Sequence, residues 1–296
     1  MKENKKNALE KQPFVSVIIT TFGKRNSIDD AIKSVLNSSY RNFELIVVND
    51  GAKVNLKPDG FTFIQQKHKG LAGARNTGIR NSKGKIIAFI DDDAVAEKDW
   101  LKELVSCFVS DEIGAVSGTA IEYFDNPEKN SFWTCNNFGL VKVNPSKLEK
   151  NDFIVVHGCN MAFSRKAVES AGLIDENFTF FFDEIDLSFR IQQKGFRIIS
   201  CKKALVHHFI NKNARFGNKF EFGKFKYYFA LKNFNSGLFF FFLVLNDLPF
   251  MLNDAKESFL LFLRKKIGFK RFLQDVYFVF GGRISGIRKA FIDFSK

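Results

Sequence analysis

Residues 85–95 read KIIAFIDDDAV. An apolar run without a polar break ends abruptly in three consecutive carboxylates, Asp91, Asp92 and Asp93. A continuously apolar strand is covered on both faces, which is the habit of a parallel sheet sandwiched between helices. Adjacent carboxylates repel one another unless something neutralises them. A divalent cation does so, and oxygen ligands suit Mg²⁺ or Mn²⁺. The simpler reading of such a triplet is a solvated acidic turn that caps the following helix.

Working outward, residues 15–20 and 44–48 repeat the same buried-strand pattern. Between them Ile32, Val35 and Leu36 fall at helical spacing, behind the capping pattern of Ser27 and Asp30. Trp100, Leu101, Leu104, Val105 and Phe108 mark another helix, and residues 113–117 another strand. Ile185 with Phe189, and Leu187 with Ile191, are i,i+4 pairs in a helix stopped by Gly195, after which 196–200 reads as a late strand. This alternation predicts an α/β fold with a mostly parallel sheet. Residues 123–152, rich in Asn, Lys and Pro, read as a long loop or insertion.

The chain has 296 residues, 45% of them hydrophobic and 26% charged, a globular composition that can bury its core without a staple. Cys107, Cys135, Cys159 and Cys201 stand apart, match neither a zinc site nor a disulfide framework, and suit a reducing compartment. The net charge of +13 and the 38 phenylalanines are unevenly spread. Residues 211–296 carry 16 Lys and Arg against 6 Asp and Glu, and 19 of the Phe. A uniformly basic nucleic-acid binder is a poor fit. Residues 1–12 are lysine-rich but lead into no signal-peptide core, and the apolar window 238–245 is far shorter than the roughly 20 residues of a membrane span.

Ligands of an open α/β sheet bind beyond the carboxyl ends of its strands. Thr20, Thr21 and Phe22 end the first strand, Asn49, Asp50 and Gly51 the second, and the Asp triplet the third. Asp183, Glu184 and Asp186 open a helix, where carboxylates are stabilised by the macrodipole and where a general base could also stand. Residues 70–78, GLAGARNTG, set small residues and Arg75 at a helix start, suited to a phosphate or to tight helix–sheet packing. The stretch is neither a P-loop nor a dinucleotide fingerprint. His207 and His208 follow an apolar run and are open to either a structural or a ligand role. No serine or cysteine stands in a nucleophile elbow.

In order and spacing these segments resemble glycosyltransferase family 2. VSVIITTFGKR is similar to its opening strand, FELIVVNDGA to its nucleotide-binding strand and turn, and GLAGARNTGI to the next helix. AFIDDDAVAEKDWL is similar to its Asp-x-Asp segment; GCNMAFSRKAVESAGLIDENF with FDEIDLSFRIQQKGFRI resembles its acceptor-side and catalytic region. The resemblance covers residues 13–210 and implies a GT-A domain there, an inverting transfer from a nucleotide sugar to a hydroxyl, and Mn²⁺ or Mg²⁺ as cofactor.

By position it implies that Thr21, Phe22 and Asp50 line the nucleotide pocket and that Arg75 and Asp92 lie by the donor. Asp91 and Asp93 hold the metal, with His208 fitting the late ligand position better than His207. Glu184 occupies the base position, with Asp183 as the alternative. Thr20, Gly23, Asn49 and Ala52 stand where the family commonly has Pro, Asn, Asp and Ser. UDP, dTDP and GDP donors are all open, UDP or dTDP being favoured by resemblance.

Residues 211–296, a helical, basic, Phe-rich extension, suit either an anionic membrane interface beside a lipid-linked or nascent glycan acceptor, or packing on the α/β domain. The expected setting is cytoplasmic, peripheral on the membrane's cytoplasmic face, with no nucleic-acid partner. A sugar nucleotidylyltransferase would want more glycine in the turn after the first strand. A non-catalytic scaffold would have no use for Asp91, Asp93 and Glu184.

Overall fold

The computed structural model describes residues 12–23, 27–54, 56–123, 127–209, 219–234 and 237–294. The basic N-terminal segment up to residue 11, Lys24 and Arg25, and residues 211–218 of the extension lie outside the described residues.

Strands β1 (Val15–Thr21), β2 (Phe43–Asn49), β3 (Thr62–Gln65) and β4 (Ile86–Ile90) run parallel in the order β3-β2-β1-β4. Helix α1 (Ile28–Leu36) joins β1 to β2, and α2 (Leu71–Arg80) joins β3 to β4. Beyond β4 the sheet continues with β11 (Asn160–Ser164), β6 (Ile113–Tyr123), β12 (Arg197–His208) and β5 (Ala94–Ala96). Of these, β11 is antiparallel to both neighbours, β12 is parallel to β6, and β5 is antiparallel to β12. The chain leaves β1 first toward β2 and later returns to its other side at β4. That reversal puts the topological switch point, and so the binding crevice, at the carboxyl ends of β1 and β4.

Both faces of the sheet are covered, as the continuous apolar runs require. Val15, Val17 and Ile19 pack in one core with α1 and α3 (Trp100–Ser106), while Ile18 packs in the other with α2, α4 (Arg165–Ala171) and α5 (Asp183–Gln193). The alternation is the period of two of a pleated strand.

Several elements differ from the sequence reading in instructive ways. Ser27 stands at the N-cap of α1 but its hydroxyl makes no capping bond, because its backbone is already helical (φ −76°, ψ −20°). The strands expected at 113–117 and 196–200 are the first parts of the long β6 and β12; β12 continues through Cys201, Lys202 and Lys203 with a register shift between Ser200 and Leu205. The supposed loop 123–152 carries β7 (Pro127–Asn130), which pairs with β6, and β8 (Trp133–Asn136) and β9 (Val141–Val143), which with β10 (Asp152–Val155) form a small antiparallel sheet.

The extension forms α6 (Lys219–Asn233), α7 (Gly237–Leu263) and α8 (Phe269–Phe294). Helix α6 is not a solvated appendage. Phe225, Tyr227, Tyr228 and Phe229 are buried in one cluster with Phe178, Phe182 and Ile185. Lys232 bonds Asp175 and Asp186 of the α/β domain at 2.8 and 2.9 Å. Buried Asp247 of α7 pairs with Lys226 of α6 and, at 2.6 Å, with Arg283 of α8, so one carboxylate ties the three helices together. Among the described residues no helix is long and apolar enough to cross a membrane.

The sheet is locked beside the crevice by Asn160, which is fully buried. Its amide accepts from Trp100 Nε1 at 2.8 Å and donates to the carbonyls of Thr119 and Ala204, each at 2.9 Å. Leaving such groups unsatisfied costs roughly 1–3 kcal/mol each. Asn160→Ala is therefore expected to lose on the order of 3 kcal/mol of stability in urea unfolding; a loss below about 1 kcal/mol would show that these bonds are dispensable.

Candidate active site

A cleft of about 470 Å³ opens at the switch point. Ten of the residues singled out in the sequence line it: Thr21, Phe22, Asp50, Arg75, Asp91, Asp92, Asp93, Asp183, Glu184 and His208. His207 does not. Successive side chains of a strand face opposite ways, and the His207 ring is held outside the cleft by the Tyr123 hydroxyl at 2.8 Å and Glu97 at 2.9 Å.

One wall is the paired turns after β1 and β2. Asn49, wholly buried, accepts from the Gly23 amide at 2.9 Å and the Gly51 amide at 3.3 Å, and donates to the Ala52 carbonyl at 2.8 Å. An amide both donates and accepts, and a carboxylate could not make this set. Gly23 has φ +78°, a left-handed conformation that costs glycine nothing. The Asp50 carboxylate collects four bonds, from the Lys69 and Gly70 amides at 2.7 and 2.8 Å, Gln66 at 2.5 Å and His68 at 2.8 Å. It thereby pins the turn into α2, where Gly70 (φ +84°) is pressed against Thr179. Phe22, 58% exposed, meets the His68 ring edge-on at 5.0 Å, forming an aromatic lip.

The floor is acidic. Asp92 turns inward and takes the Thr21 hydroxyl at 2.5 Å, whereas Asp91 and Asp93 face the cleft. His208 Nε2 stands 3.1 Å from Asp93 Oδ1 and 3.8 Å from Asp91 Oδ2, and these three side chains offer donor atoms all within 4.8 Å of one another. The two carboxylates supply the hard oxygen donors that suit Mn²⁺ or Mg²⁺, and the imidazole adds one borderline nitrogen.

Facing them is the amino end of α5. Asp183 is fully buried and accepts from Arg75 at 2.6 Å; the same guanidinium reaches Asp91 at 3.5 Å and the Gly158 carbonyl at 3.1 Å. Burial opposes the Arg75 charge, but Asp183, Asp91 and Glu184 outweigh it and hold the group above its ordinary range. Glu184 is only half-buried and lines the cleft. Desolvation and the neighbouring Asp183 carboxylate push its acid up to about 8, against the pull of Arg75.

Sequence reasoning missed a second group beneath His208. His157 and Cys159, from the turn before β11, sit with Glu122 of β6. Burial alone would neutralise them. Instead Cys159 and Glu122 hold His157 up at about 9, while His157 and His208 bring the Cys159 thiol down to about 7. The available signal was the His-x-Cys spacing of 157–159, beside a strand in the region already marked as acceptor-side.

Comparison with known proteins follows the same geometry. Residues 16–172 match the family model described as Glycosyl transferase family 2. The chain belongs to that family. It is 28% identical over 223 residues to the glucosyl-dolichyl phosphate glucuronosyltransferase of Haloferax volcanii, covering 66% of this chain and 68% of that one. An uncharacterized glycosyltransferase of Rickettsia bellii is 36% identical over 123 residues, 39% of this chain; the chain spans only 18% of that relative. In three dimensions this family 2 chain is similar to a mannosyltransferase of Pyrobaculum calidifontis solved with GDP-Man and Mn²⁺, with TM-score 0.58 at 15% identity, over 96% of this chain and 88% of that one. It is also similar to GalNAc-T7 solved with UDP, GalNAc and Mn²⁺, with TM-score 0.56 at 18% identity, over 67% and 43%. The fold is of GT-A type.

The raised Glu184 acid has a consequence for stability. Between its usual 4.5 and about 8 the folded chain keeps a proton that the unfolded chain gives up. Stability therefore falls as pH rises through that window. Thermal unfolding across it should show a shallower decline for Glu184→Gln than for the wild type; parallel curves would mean that Glu184 ionises normally.

Proposed function

We propose that this chain is a metal-dependent, inverting glycosyltransferase that moves a sugar from a nucleoside-diphosphate donor to a hydroxyl of a glycan or lipid-linked acceptor. The observation that carries the reading is that the Asp91–Asp93–His208 group and Glu184 line one cleft. Asp91, Asp93 and His208 Nε2 would hold Mn²⁺ or Mg²⁺. Bound there, the cation would act as a Lewis acid on the leaving diphosphate.

The protein's own groups divide the remaining work. The Phe22–His68 lip offers aromatic surface to a base, and Asp50 with Thr21 stiffens the turns around it. To bond a base directly, Asp50 would exchange one of its side-chain donors, Gln66 or His68, for the ligand. Arg75 lends positive charge to the donor side while keeping Asp183 occupied. Glu184 is the carboxylate left to accept a proton from the acceptor hydroxyl, and an acid near 8 is well matched to that task at neutral pH. Attack from its side, opposite the leaving diphosphate, inverts the anomeric centre in one step without a covalent intermediate.

The donor reading favours UDP or dTDP by resemblance. The similar mannosyltransferase was solved with GDP-Man, which keeps GDP in the test. Calorimetric titration with UDP, dTDP and GDP, with and without Mn²⁺, is expected to show metal-dependent binding of one nucleotide. Asp93→Ala should weaken it at least tenfold. Metal-independent binding, or none to any nucleotide, would overturn the donor site.

The acceptor side is supported by the extension and by the dolichyl-phosphate name of the Haloferax relative. Helix α6 faces the domain, but α7 and α8 leave Phe241, Phe250, Leu263, Phe269, Tyr277 and Phe291 more than half exposed. At the turn between them Arg264, Lys265, Lys266, Lys270 and Arg271 are all exposed. Apolar surface of this extent beside basic residues fits an anionic bilayer, each basic residue adding about 1 kcal/mol. The chain is expected to float with phosphatidylglycerol vesicles and not with phosphatidylcholine vesicles. Reversing Arg264, Lys265 and Lys266 to Glu should reduce binding by at least about a hundredfold. Equal recovery of both proteins, bound or unbound, would refute docking through this turn.

A further inference from the structure

His208 presents its two ring nitrogens to two different surroundings. Nε2 faces Asp91 and Asp93. Nδ1 points the other way, is buried, and has no hydrogen-bond partner. On that side lie His157, Cys159 and Glu122, each less than a tenth exposed. Glu122 Oε1 stands 3.3 Å from His157 Nε2 and 3.6 Å from His208 Nδ1, and Cys159 Sγ stands 3.7 Å from His157 Nε2. His157, Cys159 and His208 each offer a donor atom within 4.8 Å of the others'.

The separations of 3.3, 3.6 and 3.7 Å match three edges of a small tetrahedron. A zinc ion with bonds of about 2.0–2.1 Å to nitrogen and oxygen and about 2.3 Å to sulfur spaces its ligand atoms by roughly 3.3–3.7 Å. The donors also differ in kind from those of the neighbouring acidic site: one thiol and two imidazoles select a softer, borderline metal. The thiol lies over the His157 ring, 3.5 Å from Nδ1 and 3.7 Å from Nε2, so completing the set requires the sulfur to swing off the ring face toward the Nε2 side. Trp133 stacks on the outer face of His157 at 4.3 Å and keeps that side dry.

We propose that Glu122, His157, Cys159 and His208 Nδ1 form a buried zinc site, separate from the Asp91–Asp93 site and joined to it by the His208 ring. Zinc takes the thiolate and the unprotonated ring nitrogens, so the Cys159 proton is released to solvent on binding. With zinc on Nδ1, Nε2 keeps its hydrogen and donates to Asp93 Oδ1 at the observed 3.1 Å. A carboxylate receiving the far nitrogen of a zinc-bound imidazole is a common supporting contact. In the zinc-loaded chain the ring therefore orients Asp93 in place of the direct ligation given to His208 Nε2 in the proposed function, and Asp91, Asp93 and the donor diphosphate would hold Mn²⁺ or Mg²⁺. The zinc ties β6, the turn before β11 and the end of β12 into one cleft floor.

The test uses Co²⁺ as a spectroscopic stand-in. The full chain, stripped with chelator and free of nucleotide, is titrated with Co²⁺ at neutral pH. One equivalent is expected to give intense tetrahedral visible bands and a thiolate-to-cobalt charge-transfer band in the near ultraviolet, with equimolar Zn²⁺ erasing both and Mn²⁺ neither. Cys159→Ser should lose the charge-transfer band, while Asp91→Asn should keep it. Absence of that band from the wild type, its survival in Cys159→Ser, or its loss in Asp91→Asn would each overturn the proposal. None of these readouts depends on nucleotide binding, so failure of the donor-site reading is recognised separately.

Discussion

A single buried cation organises the cleft. Arg75 is 2% exposed, and a charge so placed is tolerable only when its partners are fixed around it. Asp183 comes from α5, Asp91 from the end of β4, and the Gly158 carbonyl from the turn before β11. Arg75 itself stands on α2, so four separate parts of the chain converge on one guanidinium. The arrangement also separates the acids by function. Asp183 is held to Arg75 in the interior, and Glu184, one residue along the same helix turn, is left facing the cleft, where desolvation and Asp183 outweigh the pull of Arg75. Two adjacent carboxylates thus acquire opposite environments.

Helix α5 carries this geometry in one direction and the extension in the other. Its N-cap residue, Phe182, holds φ +69°, a left-handed conformation that a non-glycine residue adopts at a cost of order 1 kcal/mol. The ring is compensated by burial against Phe222 and Phe229 of α6. One turn later Asp186, fully buried, receives Lys232 and Asn233 from α6 and Arg190 from its own helix. The first turn of α5, and with it Glu184, is therefore set partly by aromatic packing from a segment that lies beyond the sheet.

What was legible in the sequence is what depends on short-range pattern. Unbroken apolar strands ending in polar residues located the carboxyl edge of the sheet, and Asp91, Asp93, Arg75 and Glu184 meet there. What was illegible depends on contacts between distant positions. Nothing local to Asn49 announces that it braces Gly23, and Glu122 looks like any other acid until His157 and His208, far along the chain, close around it. The strands β7–β9 escaped because each spans only three or four residues, too few to establish a period. The basic aromatic extension read as one kind of segment, yet it divides by burial: α6 supplies core, while α7 and α8 keep large apolar side chains outside.

The departures from the family's usual residues become intelligible on the same grounds. Gly23, where the resemblance expects an asparagine, stands at a left-handed turn, and those are the two residue types that accept that conformation most readily. Asn49 replaces an aspartate at a position whose side chain must donate to Ala52 as well as accept from Gly23, and with it the cleft gains one neutral bracket where a second carboxylate beside Asp50 would have stood. The acidic functions of the cleft are thereby concentrated on its floor and on α5, which is where a cation and a proton, respectively, would have to be managed.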